Sequence, residues 1–153
     1  MAKHYQHTQV GYLIIIALAI AWLFSAFLMA VFGFNWFAFA ALTIFGVCLV
    51  LFATLTVVIA EDVLEIRFGP GVIRKKFPLK EIASCQVVKN PWYYGWGIHL
   101  IPHGWLYNVS GSSAVEIKMK SGKKYRIGTD VPNDLEKVIR QSIRNQVKDG
   151  KET

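Results

Sequence analysis

The sequence predicts a hairpin of two transmembrane helices followed by a small domain of seven short β-strands, closed by one C-terminal helix. Three observations predict it. Among 153 residues with a formal net charge of +7, no Asp, Glu, Lys or Arg stands between Lys3 and Glu61, whereas all ten acids and sixteen of the seventeen bases lie from Glu61 onward. The uncharged third is long enough for two bilayer crossings joined by a tight turn. Beyond it the hydrophobic period drops to two, as half-buried strands require. A composition divided in this way excludes a single soluble globule, a disordered chain, a coiled coil and a disulfide scaffold.

In chain order, residues 1–9 read as a cytoplasmic N-terminal tail and residues 10–32 as the first transmembrane helix. The run VGYLIIIALAIAWLFSAFLMAVF is broken only by Gly11 and Ser25. A bilayer core needs about 20 helical residues. A signal-peptide apolar region is shorter, about 7–15 residues, and is not followed at once by a second apolar run. Residues 33–35, Gly-Phe-Asn, form the turn, and residues 36–60 the second helix. Glu61 and Asp62 oppose the dipole at a helix C-terminus, so the helix is expected to stop by about Ala60. Ala17, Ala21 and Ser25 recur every four residues and mark a packing seam, either to the second helix or to another subunit, although Ala is simply common in such helices.

Orientation follows from the bases near the helix ends. The turn has none, the tail has Lys3, and Arg67, Arg74, Lys75, Lys76 and Lys80 follow the second helix. Both termini are therefore expected in the cytoplasm, in a multi-pass protein of the cell (inner or plasma) membrane. Tyr5, Tyr12 and Trp36 stand where an interfacial aromatic belt would.

The domain is expected over residues 61–147. Leu64, Ile66 and Phe68 alternate with Val63, Glu65 and Arg67, and Gly69-Pro70-Gly71 turns the chain. Val72 to Phe77 returns, and Ile82 to Lys89 follows, stopped by Asn90-Pro91. Shorter strands are expected near Ile98 to Ile101, Trp105 to Val109, Val115 to Met119 and Tyr125 to Ile127. Leu135, Val138, Ile139, Ser142 and Ile143 share one helix face, with Asp130 and Pro132 as start signals. Residues 148–153 are expected to be a flexible polar tail.

Four strings then carry a resemblance: Phe77-Pro78-Leu79-Lys80-Glu81-Ile82, Tyr94-Gly95-Trp96-Gly97-Ile98, Gly104-Trp105-Leu106-Tyr107-Asn108-Val109-Ser110-Gly111, and Arg126-Ile127-Gly128-Thr129-Asp130 with Pro132. Together with seven strands and a closing helix, the chain resembles bacterial membrane proteins that join two transmembrane helices to a pleckstrin-homology (PH)-like domain. The resemblance implies a seven-stranded antiparallel β-barrel or sandwich capped by the C-terminal α-helix. It implies a binding or scaffolding module, without catalytic residues to carry over.

Candidate chemistry is sparse. His99 and His103 are four apart, but Pro102 and Gly104 argue against the helix that would make them a metal pair. Cys48 lies in the second apolar run and Cys85 in a strand pattern; a thiol nucleophile needs a neighbouring base, and Cys85 reads as a core thiol. Glu61 and Asp62 are adjacent and would face opposite ways on a strand. Asn108-Val109-Ser110 matches a glycosylation acceptor on the wrong side of the membrane. No phosphate-cradling loop or nucleophile elbow is present, so no enzyme, cofactor or metal is expected. The bases form no recognition-helix pattern, so nucleic acid is not an expected partner.

Arg67, Arg74, Lys75 and Lys76 flank the first domain turn. They read as a solvated strand face with the positive-inside signal, or as a site for anionic lipid head groups, loosely matching the basic strands of phosphoinositide-binding PH domains. Trp92, Tyr93, Tyr94 and Trp96 open a segment to Tyr107 that holds three Trp, three Tyr and no Asp, Glu, Lys or Arg. It is either core or, if exposed, a partner interface or a rim reaching the head groups. The expected function is a membrane-fixed, non-catalytic binding module for a protein partner or a second copy of itself. The alternative is recognition of anionic lipid head groups by the basic strand pair.

Overall fold

Thr54 to Ala60 departs from that expectation. Five of these seven residues, Thr54, Thr56, Val57, Val58 and Ile59, are β-branched, and such residues favour the pleated state. The computed structural model, which describes residues 5–151, has them as a strand. In chain order the elements are β1 (Tyr5–Val10), α1 (Tyr12–Phe32), α2 (Trp36–Phe52), β2 (Thr54–Ala60), β3 (Val63–Phe68), β4 (Ile73–Pro78), β5 (Ile82–Lys89), β6 (Gly97–Ile101), β7 (Gly104–Asn108), β8 (Ser113–Met119), β9 (Lys124–Gly128) and α3 (Pro132–Asp149). Short 3-10 turns cover Leu79–Glu81 and Trp92–Tyr94.

The expected order, a helical hairpin and then a seven-stranded antiparallel PH-like domain, is therefore corrected. A strand precedes the hairpin. The second helix, expected to reach Ala60, ends at Phe52 and passes into β2 through Ala53 alone. The described residues hold nine strands in two sheets, one of order β1-β2-β3-β4 and one of order β5-β8-β9-β7-β6. The second sheet is not wholly antiparallel, because β7 and β9 run parallel. The hairpin is thus an insertion between two paired strands of one sheet. The expected N-terminal tail is β1 from Tyr5 on, and Lys3, part of the orientation argument, lies outside the described residues.

Register fixes which residues meet the core. Leu55, Val57 and Ile59 of β2, Leu64, Ile66 and Phe68 of β3, and Phe77 of β4 are buried on one face. Val115, Ile117, Ile127 and Tyr107 answer from the second sheet. Amphipathic α3 buries Leu135 and Ile139 against β5 and the Leu79–Glu81 turn. At about 25 cal/mol per Å2 of apolar surface, burying one such aliphatic side chain contributes roughly 1.5–3 kcal/mol. Glu61 and Asp62 are the β2–β3 turn, where Glu61 adopts a left-handed φ of 53°.

Both sheets share the same two ends. Val10, Thr54, Phe68 and Ile73 lie at the end where the helices leave the first sheet. Gln9 donates to the Ser110 carbonyl at 3.1 Å, which ties the β7–β8 link to that end. At the far end, Leu79 N–H donates to the Asp62 carbonyl and Lys120 N–H to the Glu81 carbonyl, joining the sheets through one turn.

α1 and α2 pack against each other as an antiparallel pair. α1 has 21 residues, about 32 Å at 1.5 Å per residue. It is long and apolar enough to cross a membrane, with a mean hydropathy of 2.7. α2 is a shorter apolar helix of 17 residues, about 26 Å. Asn35 caps it: its side-chain oxygen accepts from the N–H of Phe37 at 2.8 Å and of Ala38 at 3.3 Å.

Candidate functional site

The most constrained region is the junction between hairpin and domain. Gly11 is the only residue between β1 and α1, and Ala53 the only one between α2 and β2. Gly11 N–H donates to the Ala53 carbonyl at 2.8 Å, so the sheet ladder continues to the first residue of the hairpin. A Cβ on Gly11 would stand 2.8 Å from the Val109 carbonyl oxygen, so the second sheet also packs on this joint. Gly69 does the same from the β3–β4 turn. It has φ +52°, and a Cβ there would stand 2.8 Å from the Leu51 carbonyl oxygen and closer still to that of Val50. Phe68 completes the contact, with its ring 5.5 Å from that of Phe52. The domain therefore sits on the hairpin without a linker.

The four basic residues do not converge. Arg67 and Arg74 are direct cross-strand partners, as are Glu65 and Lys76, all on the outer face of the first sheet. Arg67 donates to Glu65 at 2.8 Å, and this bond holds the Glu65 carboxyl below its usual range. Arg74 folds back to donate to the Gly71 carbonyl. Lys75 is on the opposite face, opposite buried Ile66, with its ammonium 5.9 Å from the centre of the Tyr125 ring. An inward charge on the last strand of a sheet opposes pairing with a further strand.

Lys75 and Arg74 also line an open cleft between β4 and the β6–β7 pair. The cleft has a volume of about 340 Å3, and its walls are Phe68, Ile73, Ile98, Trp105, Tyr107 and Tyr125. Sequence reading missed it, because its walls come from five strands of two sheets. Burial pushes the Tyr107 hydroxyl pKa up, and the neighbouring Tyr125 adds to this, so Tyr107 presents a neutral O–H.

The aromatic segment divides. Tyr107 is buried and belongs to the core, whereas Trp92 and Tyr93 are 85% and 67% exposed. Tyr94 lies 6.0 Å from the guanidinium of Arg126. Trp96 is partly covered, and its carbonyl meets the ring of His99. Beneath this turn is a buried polar network. Arg126 donates to Glu116 at 2.9 Å and to the Asn90 side-chain oxygen at 2.9 Å. Burial works against the Glu116 charge, but the Arg126 bond and charge, with Lys124 and Gln86, outweigh it and hold the carboxyl low. The charged pair thus anchors both the second sheet and the start of the exposed turn.

Of the expected helix seam, Ser25 is buried and Ala21 partly so, while Ala17 is exposed. The Ser25 hydroxyl donates to the Ala21 carbonyl at 3.0 Å. Gly46 of α2 lets the Trp22 indole approach, since a Cβ there would stand 3.3 Å from its nitrogen. Cys85 is buried under α3, and burial pushes its thiol pKa up. His103 is in the β6–β7 turn, apart from the His99–Trp96 contact. Among the described residues, no group of three or more His, Cys, Asp or Glu is placed to hold a metal ion. Compared with models of known protein families and with curated proteins, the chain shows no match.

Proposed function

We propose that this chain is a membrane-fixed, non-catalytic binding module: the hairpin enters the bilayer with both helices, and the β domain is held on the cytoplasmic face for a protein partner or a second copy. One observation carries the reading. β1 and β2 are paired along their whole length, from Tyr5 with Ile59 to Val10 with Thr54. Both ends of the hairpin are therefore fixed to one side, and a chain that enters by α1 must return by α2. At 17 residues α2 is at the lower limit of the roughly 17–25 that span a bilayer. The turn Gly33-Phe34-Asn35 carries no charge, while Arg67, Arg74, Lys75 and Lys76 are all on the domain side, as the positive-inside rule expects of the cytoplasm. A domain joined to its anchor by single residues needs no lipid recognition to recruit it, which leaves its outer sheet face for a protein.

A second reading rests on Arg67 and Arg74. They are opposite each other one residue from the hairpin end, and Arg74 also lines the apolar cleft. That pairing suits an anionic lipid head group, at about 1 kcal/mol per base near the surface.

Topology is tested by thiol labelling in intact cells, in a Cys48→Ala, Cys85→Ser background. Phe34→Cys is expected to react with an impermeant maleimide from outside, and Ser121→Cys only after permeabilisation. Equal labelling of both refutes the two-pass reading. A photo-crosslinking residue at Thr8, on the outer face of β1, is expected to give a discrete protein adduct. Adducts with lipid alone would favour the second reading.

A further inference from the structure

The turns at the two ends of the domain differ in charge. At the far end they hold Glu61, Asp62, Lys80, Glu81, Lys120 and Lys123. At the hairpin end the links are Gly69–Val72, Asn90–Trp96 and Val109–Ser112, and none contains Asp, Glu, Lys or Arg. The β9–α3 link departs from this pattern with Asp130, which folds back onto His7 of β1. The register assigns these links to one end: Asn90 N–H donates to the Ser112 carbonyl at 2.7 Å, Gly97 pairs with Asn108, and Val109 packs on Gly11 at the root of α1.

This uncharged end also carries exposed apolar side chains. Val72, at the β3–β4 turn, is 73% exposed. Trp92 and Tyr93 project from the connection that must cross from β5, on one edge of the second sheet, to β6 on the other. Just behind are the bases Arg67, Arg74 and Lys89, each one residue from the strand end or link. Aromatic and apolar tips with bases behind them match the polarity gradient of a membrane surface, where Trp and Tyr settle at head-group level and bases meet anionic lipid.

We infer that the domain is seated in the interfacial layer of the membrane that holds the hairpin, through Val72 on one side of the helix pair and Trp92 with Tyr93 on another. The inference rests on the hairpin reading above and replaces a protein interface at Trp92 and Tyr93 with a lipid one. Contacts beside the hairpin, rather than the hairpin alone, fix the tilt of the domain. The partner surface is then limited to the outer face of the first sheet and the charged far end.

Single-Trp versions of the full chain in vesicles test this, each with the other tryptophans changed to Phe. Quenching is compared for lipids brominated near the head group and near the chain end. Trp22, midway along α1, is expected to be quenched most by the deep bromines. Trp92 is expected to be quenched about twofold more by the shallow than by the deep bromines. Trp105, near the far-end turn of β7, is expected to be unquenched by both. Trp22 quenched with Trp92 unquenched overturns the seating and leaves the hairpin standing; Trp22 unquenched overturns the hairpin itself. A second measurement needs no substitution. The native chain is irradiated in vesicles holding a lipid with a diazirine near its head group, and adducts are mapped by mass spectrometry. Adducts on the peptides holding Val72 and Trp92–Tyr93 are expected; adducts confined to the hairpin overturn the seating.

Discussion

Gly69→Ala tests whether the domain is braced against the end of α2, and Gly111→Ala supplies its control. Both glycines have left-handed backbones, with φ +52° at Gly69 and +70° at Gly111. An L-residue in that region costs roughly 1–2 kcal/mol, so both variants should lose this much. They differ in what the new methyl meets. At Gly111 nothing lies within 4 Å. At Gly69 the methyl meets the carbonyl oxygens of Val50 and Leu51, closer than 3.0 Å, and these are backbone atoms that no rotamer change can move. Overpacking of this kind costs about 1–3 kcal/mol more. Gly69→Ala is therefore expected to lose about 2–5 kcal/mol against about 1–2 for Gly111→Ala. With roughly 4–8 °C per kcal/mol for a domain of this size, the melting temperatures should differ by about 4 °C or more. The assay is thermal unfolding of both full-length variants in one detergent, followed by the β-sheet circular dichroism signal. Equal losses would refute the brace, because the turn would then be free of the helix end.

Two further predictions concern the domain interior. Arg126→Met should cost about 3–5 kcal/mol, since it leaves the buried Glu116 carboxylate without its nearest cation and Asn90 without its donor; urea unfolding of the full chain in detergent would check it. Because Glu116 titrates below its unfolded value in the fold, its contribution is present above about pH 4.3 and is lost as pH falls through the lower folded value. Acidification should therefore destabilise the native chain more than the Arg126→Met variant. Cys85 is buried with a raised pKa, so iodoacetamide at neutral pH should modify it far more slowly than in the urea-unfolded chain, as read by mass spectrometry. Equal rates would mean that α3 does not cover β5.

How much of this was legible in the sequence depends on where each signal resides. Seven of the nine strands were legible: β3, β8 and β9 from apolar residues that alternate with charged ones, and the other four from the turn residues that bound short apolar or aromatic runs. β2 was hidden by its neighbours. Coming straight after an apolar helix, TLTVVIA extends one uninterrupted hydrophobic run, and hydropathy cannot distinguish a buried strand from more helix. Its β-branched composition was the signal available. β1 gave less still. Its inward positions are Tyr5, His7 and Gln9, two of them polar, so no apolar alternation marks it, and the strand exists because β2 supplies a ladder.

The same division holds for the site. A charge-free third ahead of a basic β-rich remainder is written directly along the chain, because absence of charge is a local property that needs no partner to be read. The sequence picked out the bases and the aromatics, but not their arrangement. Folding alone sets Arg67 opposite Arg74 while Lys75 turns inward, leaves Trp92 and Tyr93 exposed while Tyr107 is core, and gathers the uncharged links at one end. Those outcomes depend on strand register, and register is a relation between residues far apart in the chain: Gly11 with Ala53, Gln9 with Ser110, Asp62 with Leu79. A hairpin inserted between two paired strands returns the chain to its starting point, and no local pattern records that return.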